Sequence, residues 1–214
     1  MTSNPTPIPN PMTLPALQEY VRQIVVERDF TTDRNEVFIL LVEELGELAT
    51  EFKNREYYPD RFSPTNLAYE VVDILLYLLD LANSFSLDLM TLWPEHEASN
   101  DERFASRRQG QPAGTPVQPG LTLNALAAHA EARGQERSFL DSEQTLLVLL
   151  TEEVGEIATE IRKGWKGKAD VSHAGKEILD ALHYLFRLGT RVGMDFEQSL
   201  VEKEKQNALR EWQY

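Results

Sequence analysis

The chain has 214 residues and a formal net charge of −14, from 21 Lys and Arg against 35 Asp and Glu. A balance this acidic argues against a nucleic-acid polymer as partner, which wants a basic face, and the lack of cysteine removes both a disulfide framework and a thiolate metal site. Hydrophobic content is 42% and charged content 26%, ordinary for a globular protein, and no apolar run approaches the roughly 18 residues of a membrane span.

In chain order, residues 1–13 open with "MTSNPTPIPNPM". The stretch is proline-rich and polar, with no basic n-region or apolar h-region. It is expected to be a disordered arm and not a secretory signal, which leaves a cytoplasmic location and no membrane partner as the expectation. Four helices are predicted in residues 14–105, over Pro15–Arg28, Asp33–Asn54, Thr65–Phe85 and Leu87–Phe104. Residues 106–120, "SRRQGQPAGTPVQPG", are rich in Gly, Pro and Gln and lack an apolar period, as a linker does. Four more helices are predicted in residues 121–214, over Thr122–Arg133, Ser142–Lys163, Val171–Val192 and Asp195–Trp212. Thr32 or Asp33, and Asp141 or Ser142, are natural N-caps. No segment alternates as a strand would, so the expected fold class is all-α.

The two halves are an internal repeat. "EVVDILLYLLDLANSFSLDL" matches "EILDALHYLFRLGTRVGMDF", and Glu70, Asp73 and Tyr77 recur 107 positions later as Glu177, Asp180 and Tyr184. "LLVEELGELATEF" returns as "LLTEEVGEIATEI" with an offset of 109. Helices keep register while the loop between them differs.

A helix advances ~100° per residue. With Leu41 at zero, Leu45, Leu48 and Phe52 form a core stripe, Glu44 falls at ~300° and Glu47 at ~240°, both on one shoulder of it. With Leu67 at zero, Glu70 and Asp73 take the same two angles beside Val71, Ile74, Leu78 and Leu81. Antiparallel packing across a short loop then sets the two acid pairs facing one another. The second half does the same with Glu153, Glu156, Glu177 and Asp180. Four half-buried carboxylates repel and lose hydration, and neither helix supplies enough Lys or Arg on that shoulder to pair them. A hard divalent cation, Mg²⁺ or Mn²⁺, resolves the cost. A single acidic string would read as a solvated face; the paired pattern, on shoulders and twice over, favours metal. A di-iron bundle needs two Glu-x-x-His motifs, which this chain lacks.

EExxE, a spacer and then ExxD resembles the motif of the all-α nucleoside triphosphate pyrophosphohydrolases, the superfamily of the MazG proteins, the dimeric dUTPases and phosphoribosyl-ATP pyrophosphatase. "EELGELATEF" with "EVVDILLYLLDLANSFSLDL" looks most like a MazG-type module, and the resemblance covers both halves apart from the linker. It implies two tandem four-helix modules, at 14–105 and 121–214, packed as an internal pseudo-dimer, because single-module relatives dimerise to complete their bundles. It implies Mg²⁺-dependent cleavage of a (deoxy)nucleoside triphosphate to monophosphate and pyrophosphate, as house-cleaning of non-canonical or deoxy nucleotides, by a chain that pairs again as a homodimer. It carries the ligand role onto the same eight residues, Glu44, Glu47, Glu70, Asp73, Glu153, Glu156, Glu177 and Asp180. Glu43 and Glu152 would hold a further metal or orient the attacking water.

Relatives also grip phosphates with a basic and amide face near the end of the fourth helix. Its match is Lys203, Asn207 and Arg210 in the second half and His96, Asn100 and Arg103 in the first, where the lysine is replaced. Lys53, Lys163 and Lys166 are further phosphate candidates from the loops between acid helices. Trp165, Tyr57 or Tyr58 could stack on a base, Tyr77 and Tyr184 could border the nucleotide, and Asn83 could read a pyrimidine edge. Both acid sets are complete, so both sites are expected to be competent; if one alone works, the second is the expectation, for its fuller basic face. The alternatives are a helical module that senses nucleotide or metal without turnover, and a phosphoribosyl-ATP pyrophosphatase-like enzyme.

Overall fold

The computed structural model describes residues 6–108, 114–139 and 141–209. Among these the chain is all-helical: α1 (Leu14–Glu27), α2 (Arg34–Tyr57), α3 (Pro64–Ser84), α4 (Leu89–Arg103), α5 (Leu123–Glu136), α6 (Glu143–Gly164), α7 (Val171–Arg191) and α8 (Phe196–Asn207). No strand forms among the described residues; the one β-type pairing is an isolated antiparallel bridge between Thr13 and Thr122, at the starts of α1 and α5. The expected N-caps resolve to Asp33, whose carboxylate accepts from the amides of Asn35 and Glu36, and Ser142, whose hydroxyl accepts from Thr145. Asp141 is instead paired with Arg187.

The expected arm and linker are partly fastened. Of residues 1–13, the described part starts at Thr6, whose amide donates to Glu27 at 2.8 Å, while Ile8 and Met12 pack against the core. Of residues 106–120, Val117 is buried and its amide donates to Glu97 at 2.9 Å.

The centre of the molecule is α3 against α7. Each buries a broad apolar face: Val71, Val72, Ile74, Leu75, Leu78 and Leu79 in α3, and Ile178, Leu179, Leu182, Leu185 and Phe186 in α7, have essentially no exposed surface. α2 folds back on α3 and α6 on α7, α1 covers α3 and α5 covers α7, and α2 touches α6. The fourth helix of each half then crosses over. α4 packs on α7, and α8 packs on α3.

Two features direct that crossing. α3 ends in a left-handed residue, Ser86 (φ 58°), and α7 in Gly193 (φ 76°). The amides of Leu87 and Met194 each bond back to the last turn, on Ala82 and Gly189, as a Schellman turn requires. The chain leaves α3 at 99° to enter α4. Each fourth helix is then pinned to the first helix of the other half through a buried glutamate. In α4, Glu97 takes His129 of α5 at 2.6 Å and the indole of Trp93 at 3.1 Å. In α8, Glu204 takes the Tyr20 hydroxyl and the Arg28 guanidinium of α1. Each is a buried charge whose cost is offset by charge-assisted bonds. No single described helix is long and apolar enough to cross a membrane.

Candidate functional site

The helix hairpins bring the acid pairs together. Carboxylate oxygens of Glu44 and Glu47 in α2 and Glu70 in α3 lie within 4.8 Å of one another, as do those of Glu153 in α6 and Glu177 and Asp180 in α7. A third group, overlapping the second, joins Glu156, His173 and Glu177 within the same span. The further acids of the repeat serve the loops: Glu51 accepts from the Ser63 amide at 3.1 Å and Glu160 from the Asp170 amide at 3.0 Å.

The electrostatics follow from burial without enough cations. Loss of solvent pushes Glu44 up to about 8, with the Asp73 charge and a shared hydrogen bond to Glu70 adding to it. Glu153 rises to about 9 for the same reasons, with Asp180 and Glu177 as neighbours. Glu70 and Glu177 are raised too, by burial first. One carboxyl of each pair therefore keeps a proton near neutral pH and hydrogen-bonds its partner. Such a donor set fits a hard divalent cation, which would displace that proton and relieve the repulsion.

The two sites differ in what α4 and α8 bring to them. The sequence grouped Lys203, Asn207 and Arg210 with the acids of their own half, and His96, Asn100 and Arg103 likewise. The structure reverses this, because the fourth helices cross. Lys203, buried in α8, places its ammonium on Asp73 of the first cluster. Asn207 borders the same place and donates to Glu204 at 2.9 Å; Arg210 lies outside the described residues. At the second cluster, His96 of α4 sets Nε2 2.7 Å from Asp180, and Asn100 stands behind it, 3.1 Å from His96 and 3.5 Å from Asp180.

The second cluster forms one wall of a cavity of about 520 Å³. Glu152, Glu153, Glu156, Glu177 and Asp180 line it from the α6–α7 hairpin, together with His173 and Lys176. α4 contributes His96, Asn100 and Arg103, and the end of α5 contributes Arg137. Phe104, Phe139, Tyr184 and His183 complete it. Beside the first cluster, the described residues enclose a pocket of about 60 Å³, bordered by Val21, Arg28, Asp73, Tyr77 and Asp80. Burial alone raises Asp80 to about 6.

Several expected contacts are spent elsewhere. Asn83 accepts from the Gln18 side-chain amide and donates to the Gln18 carbonyl, tying α1 to the end of α3. Lys163 is paired with the buried Glu160. Lys53 and Lys166 are exposed and do not line the second cavity. Trp165 donates its indole N–H to Asn35, and Tyr57 and Tyr58 are exposed. Glu43 and Glu152 are both exposed, and Glu152 lines the second cavity.

The sequence missed Arg137, Phe104, Phe139, His173, Lys176 and His183. A local signal existed for two: His173 and Lys176 sit four residues before Glu177 and Asp180, on one helix face. Arg137 and Phe139 reach the site only through tertiary packing. His183 is neutral at ordinary pH, since burial and the nearby Arg187 and Arg137 hold it well below the usual imidazole range. Its Nε2 is shut off from solvent and has no hydrogen-bond partner. Compared with known proteins, no family model matches the chain, no curated protein matches its sequence and no solved structure matches its fold.

Proposed function

We propose that the protein is a Mg²⁺-dependent nucleoside triphosphate pyrophosphohydrolase, also served by Mn²⁺, and that the second acid cluster is its working site. One observation carries this: two facing acid pairs, with Glu153 and Glu177 pushed up by burial, wall a cavity whose other contributors include Arg103 and Lys176. Acid on one side and base on the other is what a metal–triphosphate complex needs.

Mg²⁺ bound by Glu153, Glu156, Glu177 and Asp180 would neutralise and template the triphosphate. The chain supplies the rest. Arg103 and Lys176 bind phosphate oxygens, while Arg137, held by Asp101, lines the cavity. His96 and Asn100 hold the Asp180 carboxylate in place. Glu152 accepts a proton from the attacking water, whose oxygen bonds to phosphorus as the bridging P–O bond breaks and pyrophosphate leaves. Phe104, Phe139 and Tyr184 offer faces for a base.

The same reading takes the halves as two tandem modules forming an internal pseudo-dimer, supported by the reciprocal packing of α4 on α7 and α8 on α3. A homodimer of such chains in the cytoplasm, away from membranes, belongs to it. Exposed Ile39, Val42 and Val148, on the touching helices α2 and α6, suit that pairing. The Lys203–Asp73 pair favours a second role for the first cluster, as a structural or sensing copy with a tethered cation in place of metal. The test is pyrophosphate release from canonical, deoxy and damaged nucleoside triphosphates under Mg²⁺, Mn²⁺ or EDTA. Metal-dependent release is expected; no release from any of them by folded protein overturns the proposal.

A further inference from the structure

We propose that the second cluster contains a further, nitrogen-bearing cation position, made by His173 with Glu156 and Glu177, two carboxylates it shares with the Mg²⁺ position, and that it takes a borderline divalent transition metal such as Co²⁺ or Zn²⁺. The ligand atoms of these three residues already lie within 4.8 Å of one another. His173 Nδ1 is 2.8 Å from Glu177 Oε1 and shut off from solvent, yet it makes no hydrogen bond there. An imidazole nitrogen aimed at carboxylates without a hydrogen bond is a ligand geometry. The simpler role is an ion pair: His173, whose side chain is 44% exposed, has Nδ1 2.8 Å from Glu177 and 3.5 Å from Glu160, and Glu160 already has Lys163 and the Asp170 amide.

The repeat provides the control. Asn66 occupies the matching place in the first half, so the first cluster offers oxygen donors alone. Imidazole suits borderline metals, and carboxylates suit Mg²⁺ and Mn²⁺. Glu177 belongs to both second-cluster groups, so its carboxylate would bridge the two positions. A second buried imidazole in the same cavity, His183, also has an unpartnered nitrogen.

This inference needs the cluster to bind cations but needs no turnover. The test uses the metal-stripped full chain without nucleotide, so it can fail while the hydrolase proposal stands, and the reverse. Co²⁺ is titrated into wild type and His173→Asn, followed by visible absorption and calorimetry, with Mg²⁺ titrated in parallel. Wild type should show a Co²⁺ absorption band, and the variant should lose at least about tenfold in Co²⁺ affinity with Mg²⁺ affinity unchanged. Equal losses for both metals, or Co²⁺ binding that ignores the substitution, overturn the proposal. Nitrogen-15 NMR of wild type with Zn²⁺ needs no variant: the His173 Nδ1 resonance should move to a metal-bound position, and an unmoved resonance contradicts the site.

Discussion

The two acid clusters share a motif and a helix hairpin, and they differ in what reaches them from the other half. At the first, the Lys203 ammonium is buried against Asp73. At the second, the same repeat position is His96, an imidazole 2.7 Å from Asp180 beside a cavity of about 520 Å³. A lysine brings its own charge and answers part of the repulsion that otherwise calls for metal. Among the described residues no lysine or arginine pairs with the acids of the second cluster, which keeps its demand for a cation. The two halves carry the same acids, and the residues on the crossing helices make the sites unlike.

The sharpest way to break this comparison is to remove one carboxylate from each site. Glu177→Gln should lower metal-dependent pyrophosphate release by about a thousandfold, the scale of losing a group that stabilises transition-state charge. Glu70→Gln should stay within about twofold. Next is the tethered cation. Lys203→Met removes a buried ammonium from Asp73 and should cost metal-free protein about 3 kcal/mol in urea unfolding, with much of that recovered in saturating Mg²⁺. His96→Ala should slow turnover at the second site by about tenfold, although residue 96 lies in the first half of the chain. Unchanged turnover would show that the crossing contact does not matter.

Stability against pH sharpens the comparison further. Glu44 and Glu153 hold protons in the folded chain that the unfolded chain has released, since their folded values stand near 8 and 9 against an ordinary 4.5. Their contribution is fully present below the ordinary value and is lost as pH rises toward the folded ones. Metal-free protein should therefore melt at a lower temperature at about pH 8 than at about pH 5, with Mg²⁺ flattening the slope. The smallest effect is expected from Asn83→Ala. It should lower stability by about 1 kcal/mol, the worth of its bonds to Gln18, and leave the choice of base untouched.

The parts that sequence could show are those with a local cause. The helices declare themselves by a 3.6-residue apolar period, and Glu44, Glu47, Glu70 and Asp73 sit together because fixed helical angles put them there. The partners of the acids had no such cause. Lys203 and Asn207 lie one turn apart on α8, and His96 and Asn100 on α4, whichever half those helices pack against. Their assignment depends on the turns at Ser86 and Gly193 and on the anchors at Glu97 and Glu204, which join residues far apart in sequence. The contact of Asn83 is hidden for the same reason: its partner is Gln18, 65 positions away. Arg137 and Phe139 follow α5 with no local pattern to mark them, yet they line the cavity.

The most direct test of the unlike-sites account is the binding stoichiometry of a non-hydrolysable nucleoside triphosphate analogue, titrated with Mg²⁺ into the full chain, Glu70→Gln and Glu177→Gln. The account predicts one nucleotide bound per chain, retained in Glu70→Gln and lost in Glu177→Gln. Two nucleotides per chain, or binding that survives Glu177→Gln and vanishes in Glu70→Gln, would contradict it.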